Sequence, residues 1–334
     1  MIQVRSIVVY IDFSALARHL LEAAILLARG FGARILAATA VPVPGVHVGG
    51  HALPDTGGLD WGVDYSQAGQ QLEELVRSTP RMGVPVEAHV MTGDATSVLL
   101  SLLGRSHSDV LLLGASSSRP LVMRMNWMQE KLYRQAPCPV LALNGAAVCT
   151  GLRVPAAGLL SDRRLRIVIG TRFDPPSEPA VLAGMMLARH YSAEIILLHV
   201  ERKDHRRGHD EAFNLCQFLA GLSAEGQRLL SSPICPEWLE PAPRTVVRYG
   251  RADEEIIETA ADVGADLLVI GAHCPPLGIP LWPSLASRIV DGAPCPVLVV
   301  GRLGLTSALA SSLAMAESRA LAAPAKAEAV GRRL

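Results

Sequence analysis

Two short segments of the sequence hold a cysteine between two prolines and continue into an apolar run. They read "APCPVLAL" from Ala136 and "APCPVLVV" from Ala293. A cysteine in this setting could be a redox centre, a metal ligand or a structural residue. The six cysteines of the chain are scattered and form no C-x-x-C pair, which argues against a zinc site or a disulfide framework. We interpret the recurrence as a sign of sequence duplication.

Other residue types that could do chemistry lie in segments that read as loops. His47 and His51 are four residues apart, as are His205 and His209, and Cys274 follows an apolar run. Loop positions lack the helical geometry that would make such histidines converge on a metal, so we interpret both pairs as solvated surface. No histidine lies at a matched position in both halves of the chain, and the sequence supports no acid–base pair or triad. The sequence therefore predicts no metal site, no catalytic residue and no enzyme.

The composition excludes several classes of partner. The chain has 334 residues, a formal net charge of zero and 50% hydrophobic residues. A neutral chain offers no electrostatic footprint for nucleic acid and no polybasic patch for a membrane. The first apolar run is short and Asp12 interrupts it, unlike a signal peptide. We expect a cytoplasmic protein with enough residues for two domains.

The two halves of the chain repeat one another. The "APCPV" segments begin at 136 and 293, an offset of 157 residues, and "HSDVLLLGAS" matches "GADLLVIGAH" at the same offset. Gly93 and Gly250 are matched in the same way, and each precedes an apolar helical pattern. Several matched blocks in one order indicate a duplicated domain. We expect domains at 1–145 and 164–303, a linker at 146–163 and an Ala-rich tail at 304–334.

Each repeat reads as strands alternating with helices. The run from Ile7 to Ile11 is typical of a strand buried on both faces. A helical pattern follows, with Ser14 as the expected N-cap and Gly30 as the expected end. Such alternation predicts an α/β fold of two tandem, doubly wound, parallel five-stranded sheets with helices on both faces. Ligands of these sheets bind at the carboxyl ends of the strands.

Several motifs together resemble those of the universal stress protein family. They are "VVYIDFS" at the first strand, the Gly-Asp before the third helix, and "EKLYRQ" followed by "APCPV". The resemblance covers roughly residues 4–145 and 164–302 and identifies the chain as a tandem member. It implies a unit of the nucleotide-binding alpha-hydrolase type that often pairs with another copy through its last strand. Some members of the family bind ATP and others do not.

The resemblance also implies where a nucleotide would bind. In the ATP-binding branch, an acidic residue ends the first strand, backbone at the end of the second strand holds adenosine, and a loop of form G-x2-G-x9-G-[S/T] holds the phosphates. Repeat one keeps Asp12, Val41 and Gly114 at these places. Ser117 replaces the second glycine, and Asn126 and Trp127 replace the last pair. The remaining candidates for a nucleotide or another anion are Gly93, Ser116, Ser117 and Arg119.

Repeat two departs further from the ATP-binding pattern. Thr171 stands where the acid is expected, and Gly271 is the first glycine of the loop. Cys274 and Pro283 replace the other two glycines, and only Ser284 fits. The loop "CPPLGIPLWPS" has four prolines, none with an N–H to donate. Gly250 completes the candidate set of this repeat.

Two hypotheses for function follow from these motifs. In the first, the chain is a non-catalytic stress-response or regulatory module with degenerate nucleotide-binding loops in both repeats and no cofactor. In the second, it is an ATP-binding switch, with the nucleotide in domain 1 and at most weak hydrolysis. We also expect the two repeats to pair as an intramolecular pseudo-dimer through their terminal strands, with a homodimer through the same strands as a further alternative.

Overall fold

A computed structural model describes residues 4–41, 65–115, 127–145, 164–172, 177–201, 243–272 and 284–301. These ranges contain ten strands and seven helices. The elements of repeat one are β1 (Ser6–Tyr10), α1 (Ala17–Phe31), β2 (Arg34–Val41), α2 (Tyr65–Ser78), β3 (Val86–Thr92), α3 (Ala95–Ser106), β4 (Val110–Ala115), α4 (Trp127–Gln135) and β5 (Val140–Asn144). Those of repeat two are β6 (Arg166–Gly170), α5 (Glu178–Tyr191), β7 (Glu194–Glu201), β8 (Arg244–Tyr249), α6 (Ala252–Asp262), β9 (Leu267–Gly271), α7 (Leu285–Gly292) and β10 (Val297–Val300).

The strands form one sheet in the order β3-β2-β1-β4-β5-β10-β9-β6-β7-β8. All pairs within a repeat are parallel. The β-branched and aliphatic runs explain this arrangement, because strands such as β1 are covered by helices on both faces and need apolar residues at every position. Ile7, Val8 and Val9 have no exposed surface. The predicted fold class is confirmed, with the two five-stranded halves joined into a single ten-stranded sheet.

Helices cover the sheet in two layers. One core contains side chains of α1, α2 and α5, and the other contains side chains of α3, α4, α6 and α7. Both cores run through the two repeats. No helix among the described residues is both long enough and apolar enough to cross a lipid bilayer.

The expected ends of α1 were wrong at both termini. The helix begins at Ala17 after Leu16, which makes no side-chain capping bond, so Ser14 is not its N-cap. It continues through Gly30 to Phe31 and ends at Gly32, which has φ 68° and donates its N–H to the carbonyl of Ala28. A left-handed residue that closes a helix is cheapest as glycine, and Gly32 rather than Gly30 supplies it.

The two Pro-Cys-Pro segments lead into the central strands of the sheet. β5 and β10 pair with each other in antiparallel fashion, with Leu141 opposite Leu298. The carbonyls of Pro139 and Pro296 accept hydrogen bonds from the N–H groups of β4 and β9 at 3.1 and 3.0 Å. At the start of β5 and of β10, the neighbouring strand forms its hydrogen bond with the carbonyl of the proline. The N–H that proline lacks is therefore not needed at this position.

Candidate functional site

The candidate residues of repeat one lie at the carboxyl edge of its parallel strands. Asp12 follows β1 and is exposed, and its carboxylate accepts the N–H of Ser14 at 3.0 Å. Phe13, between them, has φ 54°. Val41 ends β2, and its carbonyl accepts the N–H of Gly93 at 2.9 Å. The topology thus brings Asp12, Val41 and Gly93 to one edge, where sheets of this kind bind ligands.

Gly93 has a conformational role at this edge. Its φ is 134°, and a Cβ added there would lie 3.1 Å from the side chain of Val98. The next residue, Asp94, caps α3 by accepting the N–H of Ser97 at 2.9 Å. Gly93 therefore makes the tight turn from β3 into a capped helix.

Gly250 makes the corresponding turn in repeat two. Its N–H donates to the carbonyl of Glu201 at 2.9 Å. A Cβ at this position would come within 2.5 Å of the carboxylate of Glu255. The residue that follows is Arg251, which makes no side-chain capping bond to α6. Both glycines thus shape a strand–helix turn, and only repeat one adds the acidic cap.

Gly114 stands near the end of β4, where the phosphate loop of repeat one would begin. Its carbonyl accepts a hydrogen bond from the Nε2 of the buried Gln129 at 3.0 Å. Gln129 belongs to α4, so this bond fixes the helix beside the strand end. Ser116, Ser117 and Arg119 lie outside the described residues, as do both histidine pairs and Cys274. Within the described residues no group of three or more His, Cys, Asp or Glu could hold a metal ion.

The acidic position of repeat two is occupied by an arginine. The N–H of Ile11 donates to β2 at Ala38, and the N–H of Thr171 donates to β7 at Leu198, each in the same register. Thr171 is therefore the counterpart of Ile11, and Arg172 rather than Thr171 corresponds to Asp12. Thr171 is buried, and its carbonyl oxygen lies 2.9 Å from the Nδ1 of His199. The strand register gives an offset of 160 residues between the repeats at this place, so the expected position, Thr171, was one residue out of register.

Ser284 lies at the junction between the two repeats. It is the N-cap of α7, and its hydroxyl accepts the N–H of Ser287 at 3.2 Å. Its own N–H donates to Oε1 of Glu130, in α4 of repeat one, at 2.8 Å. The hydroxyl of Ser287 donates to the same oxygen at 2.6 Å, and Arg134 contacts the other carboxylate oxygen at 3.3 Å. Gly271, at the end of β9, pairs with the central strand β10.

Glu130 is a functional candidate that the sequence reading missed. It is only 5% exposed. Its carboxylate lies at the N-terminus of α7, the positive end of that helix, where a negative charge is electrostatically favourable. The sequence shows Glu130 as an acid in the first turn of its own helix, a place where acids are common. What the sequence did not show was the antiparallel pairing of the two repeats, which places Glu130 against α7 of repeat two.

The two cysteines of the Pro-Cys-Pro segments are buried in the core. Cys138 is 1% exposed and Cys295 is 4% exposed. Burial raises the pKa of each thiol to about 12. A thiol with such a pKa holds almost no thiolate at neutral pH and is a poor nucleophile or metal ligand. The interpretation of these cysteines as small apolar fillers is confirmed.

The geometry defines a duplicated α/β protein whose candidate binding residues in repeat one lie at the carboxyl ends of parallel strands. The model of the universal stress protein family matches residues 3–144 and again residues 164–301. The chain therefore belongs to the universal stress protein family and is a tandem member of it.

A curated relative and two solved structures show the extent of the likeness. Universal stress protein G of Shigella flexneri is 32% identical over 93 residues, which are 28% of this chain and 66% of that protein. The chain thus spans just under two thirds of that relative's length. A universal stress protein from Archaeoglobus fulgidus shares the fold with TM-score 0.60 at 14% identity, over 90% of this chain and 97% of that one. One from Pseudomonas aeruginosa, described as putative, has TM-score 0.52 at 18% identity, over 94% and 98%.

Proposed function

We propose that this chain is a non-catalytic stress-response module that binds no nucleotide, a two-repeat body in one chain with degenerate nucleotide-binding loops in both repeats. The observation that carries the proposal is the hydrogen bond from the Ser284 N–H to Glu130. Ser284 is the residue of repeat two that fits the last position of the family's phosphate loop. A phosphate at that N–H would meet the buried carboxylate at close range, and like charges in a site with little water repel strongly.

The charge at the other end of the same edge supports the proposal. An acid is expected where adenosine would bind, and Arg172 stands at the position that corresponds to Asp12. An arginine has donors only and cannot accept the hydrogen bonds that a carboxylate accepts from a ligand hydroxyl. In repeat two, the place for adenosine is therefore altered by sequence, because Arg172 replaces the acid. The place for phosphate is altered by the contact that Glu130 of repeat one makes with Ser284.

An ATP-binding switch in repeat one is the second candidate. Asp12 is exposed at the end of β1, Val41 ends β2 beside it, and Gly114 is kept in β4. These residues supply the acid and the backbone that the family uses. Against this candidate, Asn126 and Trp127 replace the final Gly-Ser/Thr pair of the loop.

The experiment that separates the two candidates uses full-length purified protein. The protein is denatured and the supernatant is examined for released nucleotide, and thermal unfolding is followed with and without Mg-ATP. A bound ligand would stabilise the fold by RT ln(1 + [L]/Kd), about 2.7 kcal/mol at a hundredfold excess over Kd. We expect no released nucleotide and no shift of the melting temperature.

Matched variants identify the source of any shift. Asp12→Ala removes the exposed acid at the binding edge, and Glu73→Ala removes an exposed acid on α2 as its control. A shift by Mg-ATP that Asp12→Ala abolishes and Glu73→Ala preserves would establish the switch and contradict the non-catalytic module without nucleotide. A shift that neither variant changes would place a nucleotide elsewhere on the chain.

A further inference from the structure

The two repeats meet around an approximate twofold axis. Leu141 lies opposite Leu298, and the two residues are each other's counterparts at the offset of 157 residues, as are Val140 and Val297. The axis therefore passes between Leu141 and Leu298. A pair of identical repeats would make every contact around this axis twice. The described contacts across the axis are instead different on its two sides.

The first difference lies next to the axis, between α4 and α7. Glu130 and Ser287 are counterparts at the same offset, and they face each other at 2.6 Å from Oε1 to Oγ. Glu130 is 5% exposed and Ser287 is 8% exposed. Two copies of repeat one would bring two buried carboxylates together at this place, which forces one of them to take up a proton. Two copies of repeat two would leave the Ser284 N–H without the carboxylate that now accepts it.

The second difference lies at the ends of the central strands. Asn144 ends β5, and its Nδ2 donates to the carbonyls of Val290 and Ala293 at the end of α7, both at 2.8 Å. Its counterpart, Gly301, lies at the end of α4, where an added Cβ would be 2.8 Å from the carbonyl oxygen of Tyr133. A side chain at the position of Gly301 would require this carbonyl to shift, whereas the carbonyl of Val290, the counterpart of Tyr133, accepts the amide of Asn144 at 2.8 Å. Two copies of repeat one therefore could not pair in this geometry without moving α4.

The third difference lies on the opposite face of the sheet, where the ends of α1 and α5 meet. Phe31 stacks on His190 with ring centroids 5.1 Å apart and meets the edge of Tyr191 at 6.0 Å. Phe31 and Tyr191 are counterparts at the local offset of 160 residues, and His190 corresponds to Gly30. Two copies of repeat one would lose the stacked ring of this group.

We propose that the terminal-strand surface of each repeat is selective for the other and rejects a second copy of itself. The surface of repeat one takes a partner with a hydroxyl at the position of Ser287 and no side chain at the position of Gly301. The selectivity resides in one buried carboxylate and one close backbone approach, and it directs the two repeats of a chain to each other. This inference concerns pairing alone and does not depend on whether repeat one binds nucleotide.

The test places a second carboxylate at the axis in the full-length chain. Ser287→Glu imitates the pairing of two copies of repeat one, and Ser287→Gln has the same volume without the charge. Both are made with Glu130 intact and in a Glu130→Gln background, and urea unfolding is measured at pH 7. With Glu130 intact, we expect the unfolding constant of Ser287→Glu to exceed that of Ser287→Gln about tenfold or more, because two buried carboxylates cost at least a pKa unit. In the Glu130→Gln background the two variants should be nearly equal.

The same gap in both backgrounds, or no gap in either, would overturn the proposal. If the larger side chains at position 287 prevent folding altogether, the reciprocal variants decide. Glu130→Ser gives repeat one the residue of repeat two, and Glu130→Gln keeps an acceptor for the Ser284 N–H. Glu130→Ser should lose clearly more of the urea midpoint than Glu130→Gln, and equal losses would also overturn the proposal.

Discussion

Leu141 and Leu298 face each other at the centre of the ten-stranded sheet, although they are 157 residues apart in the chain. Each is the other's counterpart, so the pairing has the symmetry of a homodimer built into one chain. Both terminal strands are already paired, so another copy cannot add to them while the chain is intact. Among the described strands, β3 and β8 lie at the edges of the sheet, and a whole-chain dimer through β5 or β10, expected from sequence as an alternative, would have to break this pair.

The close approach of Gly301 to the end of α4 predicts that Gly301→Ala destabilises the protein. The added Cβ would lie 2.8 Å from the carbonyl oxygen of Tyr133 and 3.5 Å from that of Arg134. Because both are backbone atoms, relief requires α4 and β10 to separate, at a cost of about 1–3 kcal/mol. The free energy of unfolding from urea titration measures the loss.

Gly104→Ala is the matched control for Gly301→Ala. Gly104 lies inside α3, is exposed, and an added Cβ would meet no atom of the described residues within 4 Å. Alanine is the better helix former there, by about 0.5–1 kcal/mol. Stability should therefore rise in the control and fall at Gly301, and an unchanged or raised stability in Gly301→Ala would contradict the close approach.

The fold was predictable because its signals are local and repeated. The apolar runs of β1 and β4 gave strands buried on both faces, and the matched blocks gave the duplication before any contact was known. The ends of α1 were less predictable, because Gly30 and Gly32 are both near the end of the helical pattern. The pattern does not show which of the two adopts the left-handed conformation that ends the helix, and in the structure it is Gly32, with φ 68°.

Residues of the candidate site were predictable from the sequence only where their position at the end of a strand is enough to place them. Asp12 and Val41 follow from the position of β1 and β2, since carboxyl ends of parallel strands share an edge. Glu130 could not be found in this way, since its partner Ser284 lies 154 residues further along. Its contact depends on the geometry of two whole repeats.

The contact of Asn144 with α7 predicts a graded loss of stability. Asn144→Ala removes two hydrogen bonds to the carbonyls of Val290 and Ala293 and leaves those buried groups short of a donor, at about 1–3 kcal/mol. Asn144→Asp keeps the shape but turns a carboxylate toward the same oxygens, so its loss at pH 7 should be larger. Urea unfolding of the two variants and the wild type gives the order.

The pH dependence of Asn144→Asp provides its control. An aspartate facing two carbonyl oxygens has a raised pKa in the folded state, because only its protonated form can donate. The folded state then binds the proton more tightly, so stability is gained as the pH falls and lost as it rises through that pKa. The wild type should lack this trend, and an Asn144→Asp variant as stable as wild type at pH 7 would contradict the assigned amide orientation.

Asp253 predicts a second dependence on pH, with the opposite sign. Burial acts to raise the pKa of this carboxyl, but the hydrogen bond from Arg288 at 2.7 Å and the charges of Arg288 and Arg251 lower it overall from its ordinary value of 3.8. Its contribution to stability is therefore complete above about pH 4 and is lost as the pH falls through the lowered pKa. Asp253→Asn should cost about 1.5–3 kcal/mol at pH 7, the range of hydrogen bonds to charged groups.

Asp262→Asn is the matched control for Asp253→Asn. Asp262 pairs with Arg248 at 3.4 Å on the surface, with more than half of its side chain exposed, and such pairs contribute about 0–1 kcal/mol. The stabilities of Asp253→Asn and the wild type should converge as the pH falls below the lowered pKa. A constant difference across that range would show that Asp253 acts through packing alone.

The Pro-Cys-Pro segments predict two unreactive thiols. Cys138 and Cys295 are buried and their pKa is raised to about 12, so at pH 8 only about one thiol in ten thousand is ionised, even where reagent reaches it. Iodoacetamide treatment of the native protein, followed by peptide mass analysis, should leave both residues unmodified. The same treatment in guanidinium chloride should label both, because unfolding returns each pKa to its ordinary range. Labelling of either cysteine in the native protein would instead favour a redox or ligand role for the motif.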